Sequence, residues 1–270
     1  MQALDRLPWP MGEDILAGVF VAKAFVRVSQ LRLARAWAVH HPGGGWKLAL
    51  SCCSHHGRFV ARSALIGIGD PASLARHVVV KGEEHLAAAP GGRILLGFHL
   101  GPPAVAEALR SVGHQLTWIG GVNSSRALGR EKWLALQEED RTFAFSGGTE
   151  AGGSVLHKAR RRLLDGKTVS ITADGNDGRL AFQVHFPGAT LVVRSGWIAL
   201  RRLTGAPTLP VLSHQDGRQQ VITIHPALPA VVSDPTDDLD RCREVITRLL
   251  ERFVREHPEQ CYTLTFPRRA

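Results

Sequence analysis

The clearest periodicity in this 270-residue chain lies near its end. Leu239, Cys242, Val245, Leu249 and Phe253 recur at three- and four-residue steps and form one apolar stripe of a helix. Asp234–Pro235 starts that helix. Acids come early (Asp237, Asp238, Asp240) and bases late (Arg248, Arg252, Arg255), as the helix dipole favours. Upstream, strand-length apolar runs alternate with helix-period segments. Strands are predicted at Arg93–Phe98, Gln115–Ile119, Thr142–Phe145, Thr168–Ala173, 207–212 and 220–225. Helices are predicted at Ser73–Ala88, from Pro102 to Ser111, at Arg126–Glu138, from Gly152 to Gly166, and over 195–204 with Gly205 closing it. Residues 46–66 fit either state, and His41–Pro42–Gly43–Gly44–Gly45 breaks the chain before them. The alternation predicts a single α/β domain over 46–270, with a mixed, partly parallel central sheet flanked by helices. A helical segment over 1–45 precedes it.

Composition narrows the partners. Hydrophobic residues make up 44% of the chain, enough for a sizeable core. The 33 Lys+Arg against 24 Asp+Glu leave a net charge of +9, which favours a phospholipid surface, an acidic carrier protein or nucleic acid. Nucleic acid ranks lowest, because the bases, including Lys158, Arg160, Arg161, Arg162, Arg201 and Arg202, have no interleaved aromatic stripe. They read as solvated faces. Cys52, Cys53, Cys242 and Cys261 form no C-x-x-C pair, so a reducing, cytoplasm-facing compartment is the simpler reading, and Cys242 belongs to the core stripe.

The apolar run Ile15–Ala22 stops at Lys23, well short of the roughly 20 residues that span a bilayer. Asp5, Glu13 and Asp14 are wrong for a signal peptide. Two readings of residues 14–37 stay open. One is an amphipathic surface helix offering Lys23, Arg27, Arg32 and Arg35 to lipid phosphates. The other is a helix packed on the core.

Candidate chemistry centres on Arg93–Ile94–Leu95–Leu96–Gly97–Phe98–His99–Leu100–Gly101, an apolar run ending in a histidine and a small-residue turn. Histidine at a strand end suits a general base, since its ordinary pKa lies near neutrality. A carboxylate on its other ring nitrogen would fix the tautomer. Glu107, eight residues on, leans back toward His99 if residues 102–111 are helical. Asp174 ends a strand in an Asp-Gly turn, which is either turn chemistry or a site carboxylate. Cys52–Cys53–Ser54–His55–His56 has metal-ligand residue types, but adjacent pairs cannot easily close one tetrahedron, so no metal site is expected. Gly67–Ile68–Gly69–Asp70 is too short for a dinucleotide fingerprint, and neither a G-x-S-x-G elbow nor a P-loop occurs.

Several blocks, in order, resemble the lysophospholipid acyltransferase-like superfamily in its lipid A biosynthesis branch. They are Val80–Lys81–Gly82–Glu83–Glu84–His85–Leu86, the His99 block, Thr172–Ala173–Asp174–Gly175–Asn176–Asp177–Gly178, Phe186–Pro187–Gly188–Ala189, Leu203–Thr204–Gly205–Ala206–Pro207–Thr208–Leu209–Pro210, and His257–Pro258–Glu259–Gln260–Cys261–Tyr262. The family motif is His, four residues, then Asp or Glu; here Ala104 replaces the acid.

The resemblance implies a glycerolipid acyltransferase-like fold. It implies transfer of a fatty acyl group from acyl carrier protein or acyl-CoA to a lipid or glycolipid hydroxyl or amine, without metal or bound cofactor. His99 would be the base, with Glu107 or Asp174 as replacement acid. N–H groups near Gly101 would hold the oxyanion, Arg130 a substrate phosphate, and Gly175 would line the site. The expected location is peripheral, on the anionic cytoplasmic face of the inner membrane. The alternative is a non-catalytic lipid- or acyl-chain-binding relative, which the loss of the motif acid favours.

Overall fold

A computed structural model describes residues 9–26, 28–68, 74–121, 142–145, 149–175 and 179–266. Three helices come first: α1 (Trp9–Val26), α2 (Val28–Ala38) and α3 (Trp46–Ile68). The ambiguous segment from residue 46 is therefore helical. Then follow β1 (Val78–Lys81), α4 (Glu83–Ala87), β2 (Arg93–Gly97), α5 (Val105–Ser111), β3 (Thr117–Gly121), β4 (Thr142–Phe145), α6 (Thr149–Leu164) and β5 (Thr168–Thr172). The rest comprises β6 (Leu180–Phe186), β7 (Ala189–Arg194), α7 (Gly196–Thr204), β8 (Thr208–Asp216), β9 (Gln219–Ile224), α8 (Pro235–Glu256), a 3₁₀ turn at Pro258–Gln260, and α9 (Tyr262–Thr265).

Seven strands form one sheet in the order β1-β9-β8-β2-β5-β3-β4. Every neighbouring pair is parallel except β8–β9. This is the expected mixed, largely parallel α/β sheet. β2 lies between β8 and β5 at its centre and is buried on both faces. Ile94 and Leu96 join the larger core with Trp197, Leu200, Ile246 and Leu250, while Leu95 joins a smaller one with Ala108, Leu109 and Leu209. A strand buried on both sides reads as a continuous apolar run, as Ile94–Leu95–Leu96 does.

Several expectations shift. Ser73–Ala88 is not one helix: Val78–Val79–Val80 forms a strand, as β-branched runs prefer, and Gly82 at φ 79° turns the chain into α4. The helix after His99 starts at Val105, past the two prolines, because Gly101 (φ 72°) and Ala104 (φ 63°) take left-handed conformations that a right-handed helix interior excludes. The expected helix at Arg126–Glu138 lies outside the described residues. The β6–β7 hairpin was absent from the elements read above, although Phe182, Val184 and Phe186 point inward at period two. Phe186–Pro187–Gly188–Ala189 is its turn. Helix α8 is rotated slightly from the predicted stripe: Cys242, Ile246, Leu250, Phe253 and Val254 are buried, and Leu239, Val245 and Leu249 sit at the core margin. Arg201 is not a solvated base. It is 2% exposed, 3.4 Å from buried Asp238, and it donates to the Cys242 sulfur.

The segment expected as one helix over 14–37 is described as two, α1 and α2, and for α1 the core-packed reading holds. One side of α1 packs on α3: Glu13, Ala17 and Ala24 are buried. A buried ion pair joins Glu13 to Arg62 at 2.6 and 3.1 Å. A Cβ at Gly57 would stand 2.7 Å from the Leu16 carbonyl and 2.9 Å from Ala17 Cα, so only glycine permits this crossing. The other side leaves Met11, Ile15, Val19, Phe25 and Val26 exposed, Val26 by 85%. Among the described residues, no helix is long and apolar enough to cross a membrane.

Candidate active site

β2 and β5 are parallel neighbours, with Gly97 opposite Thr172. Two residues past that pair, just beyond the two strand ends, stand His99 and Asp174. Equal offsets from one register pair bring the two side chains out together at the carboxyl edge of the sheet. That edge is where open α/β sheets carry their ligand sites. The Ala173 N–H still donates to the Gly97 carbonyl at 2.9 Å, so the ladder holds up to the last residue before the pair.

Asp174 accepts three hydrogen bonds from His99. The His99 backbone N–H lies 3.0 Å from Oδ1 and 2.9 Å from Oδ2, and ring Nδ1 lies 2.9 Å from Oδ1. Both oxygens face a backbone donor, so the carboxylate acts as acceptor and Nδ1 carries the proton. Nε2 is then the unprotonated ring nitrogen. The carboxylate side chain is 1% exposed and the imidazole 40% exposed: a sealed acid holds a ring that solvent can reach.

Of the two carboxylates expected to replace the motif acid, Asp174 is the one at Nδ1. Glu107 occupies the first turn of α5, where Ala106, Glu107, Ala108 and Leu109 are all buried. The helix expected from Pro102 starts at Val105 instead, so Glu107 stands in its first turn. Ala104, the position of the missing acid, caps α5 in the left-handed region.

Gly101 sits in the turn whose N–H groups are expected to hold an oxyanion. Its N–H donates to the Gln260 carbonyl at 3.1 Å, so that donor is engaged within the protein. The glycine is still required, because a Cβ there would stand 1.6 Å from the Ser213 carbonyl at φ +72°. Gly175 has no described atom within 4 Å of where its Cβ would be, and its carbonyl accepts from Arg194 Nε at 3.2 Å. Arg194 beside the Asp174 turn was not singled out in the sequence. It ends β7, and only the unrecognised hairpin brings it there. Arg130 lies outside the described residues.

Cys52 and Cys53 follow each other on α3 and are buried, and burial pushes the Cys52 thiol up to about 12. His56 stacks on Phe266 at 4.8 Å. These side chains pack. Among the described residues no group of three or more His, Cys, Asp or Glu is arranged to hold a metal ion.

No family model and no curated protein matches the sequence. Among solved structures, the chain is similar to the 1-acyl-sn-glycerophosphate (LPA) acyltransferase PlsC from Thermotoga maritima. The TM-score is 0.47 at 15% identity, over 84% of this chain and 97% of that one.

Proposed function

We propose that this chain is an acyltransferase acting at a membrane surface. It moves a fatty acyl group from a thioester, on acyl carrier protein or coenzyme A, to a hydroxyl or amine of a lipid or glycolipid. One observation carries the reading: an exposed imidazole whose Nδ1 lies 2.9 Å from a buried carboxylate, in the block that resembles the family's histidine motif. The dyad answers the loss of the motif acid at Ala104, because an orienting carboxylate arrives from β5 instead.

In the proposed reaction the acceptor oxygen attacks the thioester carbonyl while His99 Nε2 takes its proton. Asp174 holds the Nδ1–H and stabilises the imidazolium that forms. Collapse of the tetrahedral intermediate breaks the C–S bond, and the proton on Nε2 goes to the leaving thiolate. Asp174 and His99 act as a unit, Gly175 lines the open side of the turn, and Arg130 remains the proposed phosphate contact. No step needs a metal or a bound cofactor. The exposed apolar side of α1, next to Lys23, supports peripheral attachment to an anionic bilayer, proposed here as the cytoplasmic face of the inner membrane.

The test is transfer of a radiolabelled acyl chain from its thioester to lipid extract. We expect His99→Ala and Asp174→Asn each to lose about 10²- to 10⁴-fold in rate while still folding. Equal labelling by wild type and His99→Ala would reject the catalytic role. One observation favours the second reading, a non-catalytic acyl-chain binder: the Gly101 N–H is already engaged. That reading predicts saturable binding of the thioester with no turnover by the wild type.

A further inference from the structure

We infer that Gln260 and Thr263 are positioning residues that hold the His99 turn in register, a role that rests on the acyl-transfer reading. The β2 ladder stops at Gly97, its last residue paired to both neighbours. Pro102 and Pro103 follow and have no N–H to give. The turn that carries the base therefore takes its position from outside the sheet.

Among the described residues, three main-chain groups of His99 and Gly101 are tethered. The His99 N–H goes to Asp174. The His99 carbonyl accepts from Thr263 Oγ1 at 2.8 Å. The Gly101 N–H donates to the Gln260 carbonyl at 3.1 Å. Two of the three tethers come from the segment after α8, more than 150 residues away along the chain.

Gln260 is anchored in turn. The residue is 3% exposed, and its carboxamide pairs with the main chain of Gln215 in β8. The Gln215 N–H donates to Oε1 at 2.6 Å, and Nε2 donates to the Gln215 carbonyl at 3.0 Å. The side chain thus acts as one more peptide group on the edge of β8. Only a planar group with one donor and one acceptor can do this. Glutamate would keep the acceptor and face the Gln215 carbonyl with a negative charge; methionine would lose both bonds. Trp37 Nε1 donates to the Pro258 carbonyl at 2.9 Å, so the start of the segment is tied as well. Gln260 and Thr263 touch no reacting atom in this scheme. They act on His99 through its backbone.

The experiment compares wild type, Gln260→Met, Thr263→Val and Thr263→Ser. It reads kcat and KM with an acyl thioester and a lipid acceptor, the His99 Nδ1 proton resonance, and amide exchange at Gly101. We expect kcat to fall about 10- to 100-fold for Gln260→Met and about 3- to 10-fold for Thr263→Val, with KM within about threefold, because a small misplacement of a reacting group costs rate rather than affinity. The Nδ1 proton signal should broaden or move in both, Gly101 protection should fall in Gln260→Met, and Thr263→Ser, which keeps the hydroxyl, should behave as wild type.

Unchanged kcat in the two disruptive variants, or a Thr263→Ser as impaired as Thr263→Val, overturns the proposal. If Gln260→Met does not fold, the near-isosteric Thr263→Val decides it by the same criteria. If the wild type transfers no acyl group, the acyl-transfer reading fails. The positioning role is then judged by the resonance and exchange data alone, and unaltered signals reject it.

Discussion

The carboxyl edge of β2 and β5 and the outer side of α1 treat solvent in opposite ways. At the sheet edge, the N–H, C=O and Nδ1 of His99 and the N–H of Gly101 are all engaged within the protein, around a ring left open to water. Along α1, the polar anchor Glu13 is buried and paired, and it is the apolar side chains that face out. Pinning a turn by several main-chain bonds costs conformational freedom and serves where a ring must keep its orientation. Leaving a stripe of large apolar side chains in water also costs free energy, about 25 cal/mol per Å². Such a stripe makes sense on a surface that something apolar covers.

The most forceful way to break this comparison is to remove the apolar stripe. Val19→Glu with Phe25→Glu should lower binding to anionic phospholipid vesicles by about 100-fold, since two half-exposed side chains lose their insertion energy and two charges oppose it. Stability should stay within about 0.5 kcal/mol, because neither residue belongs to the buried face. Vesicle sedimentation and thermal melts measure the two quantities. Undiminished sedimentation of the double variant would remove α1 from the membrane reading.

A smaller effect concerns α3, which lies between the two regions: His56 meets Phe20 of α1 on one side and Phe266 on the other. Burial holds the neighbouring His55 at about 4, against an ordinary value of 6.5, and His225 after β9 is likewise held at about 4. Both are neutral in the folded protein. Below pH 6.5 the unfolded chain binds protons that the folded chain does not, so stability falls as pH drops from 6.5 toward 4 and is fully present above 6.5. The loss is on the order of 2 kcal/mol per histidine after allowing for partial exposure. Urea melts at pH 7, 5.5 and 4.5 follow it, and His55→Phe should flatten the slope. An unaltered slope in that variant would assign the pH dependence to other groups.

The two regions were also unequally legible in the sequence. The strands that lead to His99 and Asp174 follow from apolar runs closed by small-residue turns, and those signals are local. That the two ends meet depends on β2 and β5 being adjacent with Gly97 opposite Thr172, a non-local fact no spacing encodes. The left-handed residues Gly101 and Ala104 delay to Val105 the helix that carries Glu107. Glycine announces such a conformation, whereas alanine does not. The role of Gln260 was invisible for the same reason as the dyad, since its partners lie on β8 and beyond β2. On α1 the chain is apolar around most of its circumference, so periodicity alone could not say which side faces the core. Gly57 on α3 decides it by admitting only one line of approach.

The smallest predicted effect is the sharpest on the site itself. Ala104→Asp restores the acid that the family motif would have at this position. Alanine at φ 63° carries a cost of about 1–2 kcal/mol relative to the right-handed region, and aspartate tolerates that conformation better. The residue is half-buried against the smaller core, and a carboxylate there loses part of its hydration, so the two terms oppose each other. Stability should change by no more than about 1 kcal/mol. Nδ1 has one proton and Asp174 already holds it at 2.9 Å, so a second carboxylate has no bond to add there. Acyl transfer should therefore stay within about threefold of wild type, while Asp174→Asn remains as impaired when combined with Ala104→Asp as it is alone. A tenfold gain from Ala104→Asp, or rescue of Asp174→Asn by it, would show that the carboxylate from β5 is a poor orienting group and that this edge of the sheet is less complete than its hydrogen bonds indicate.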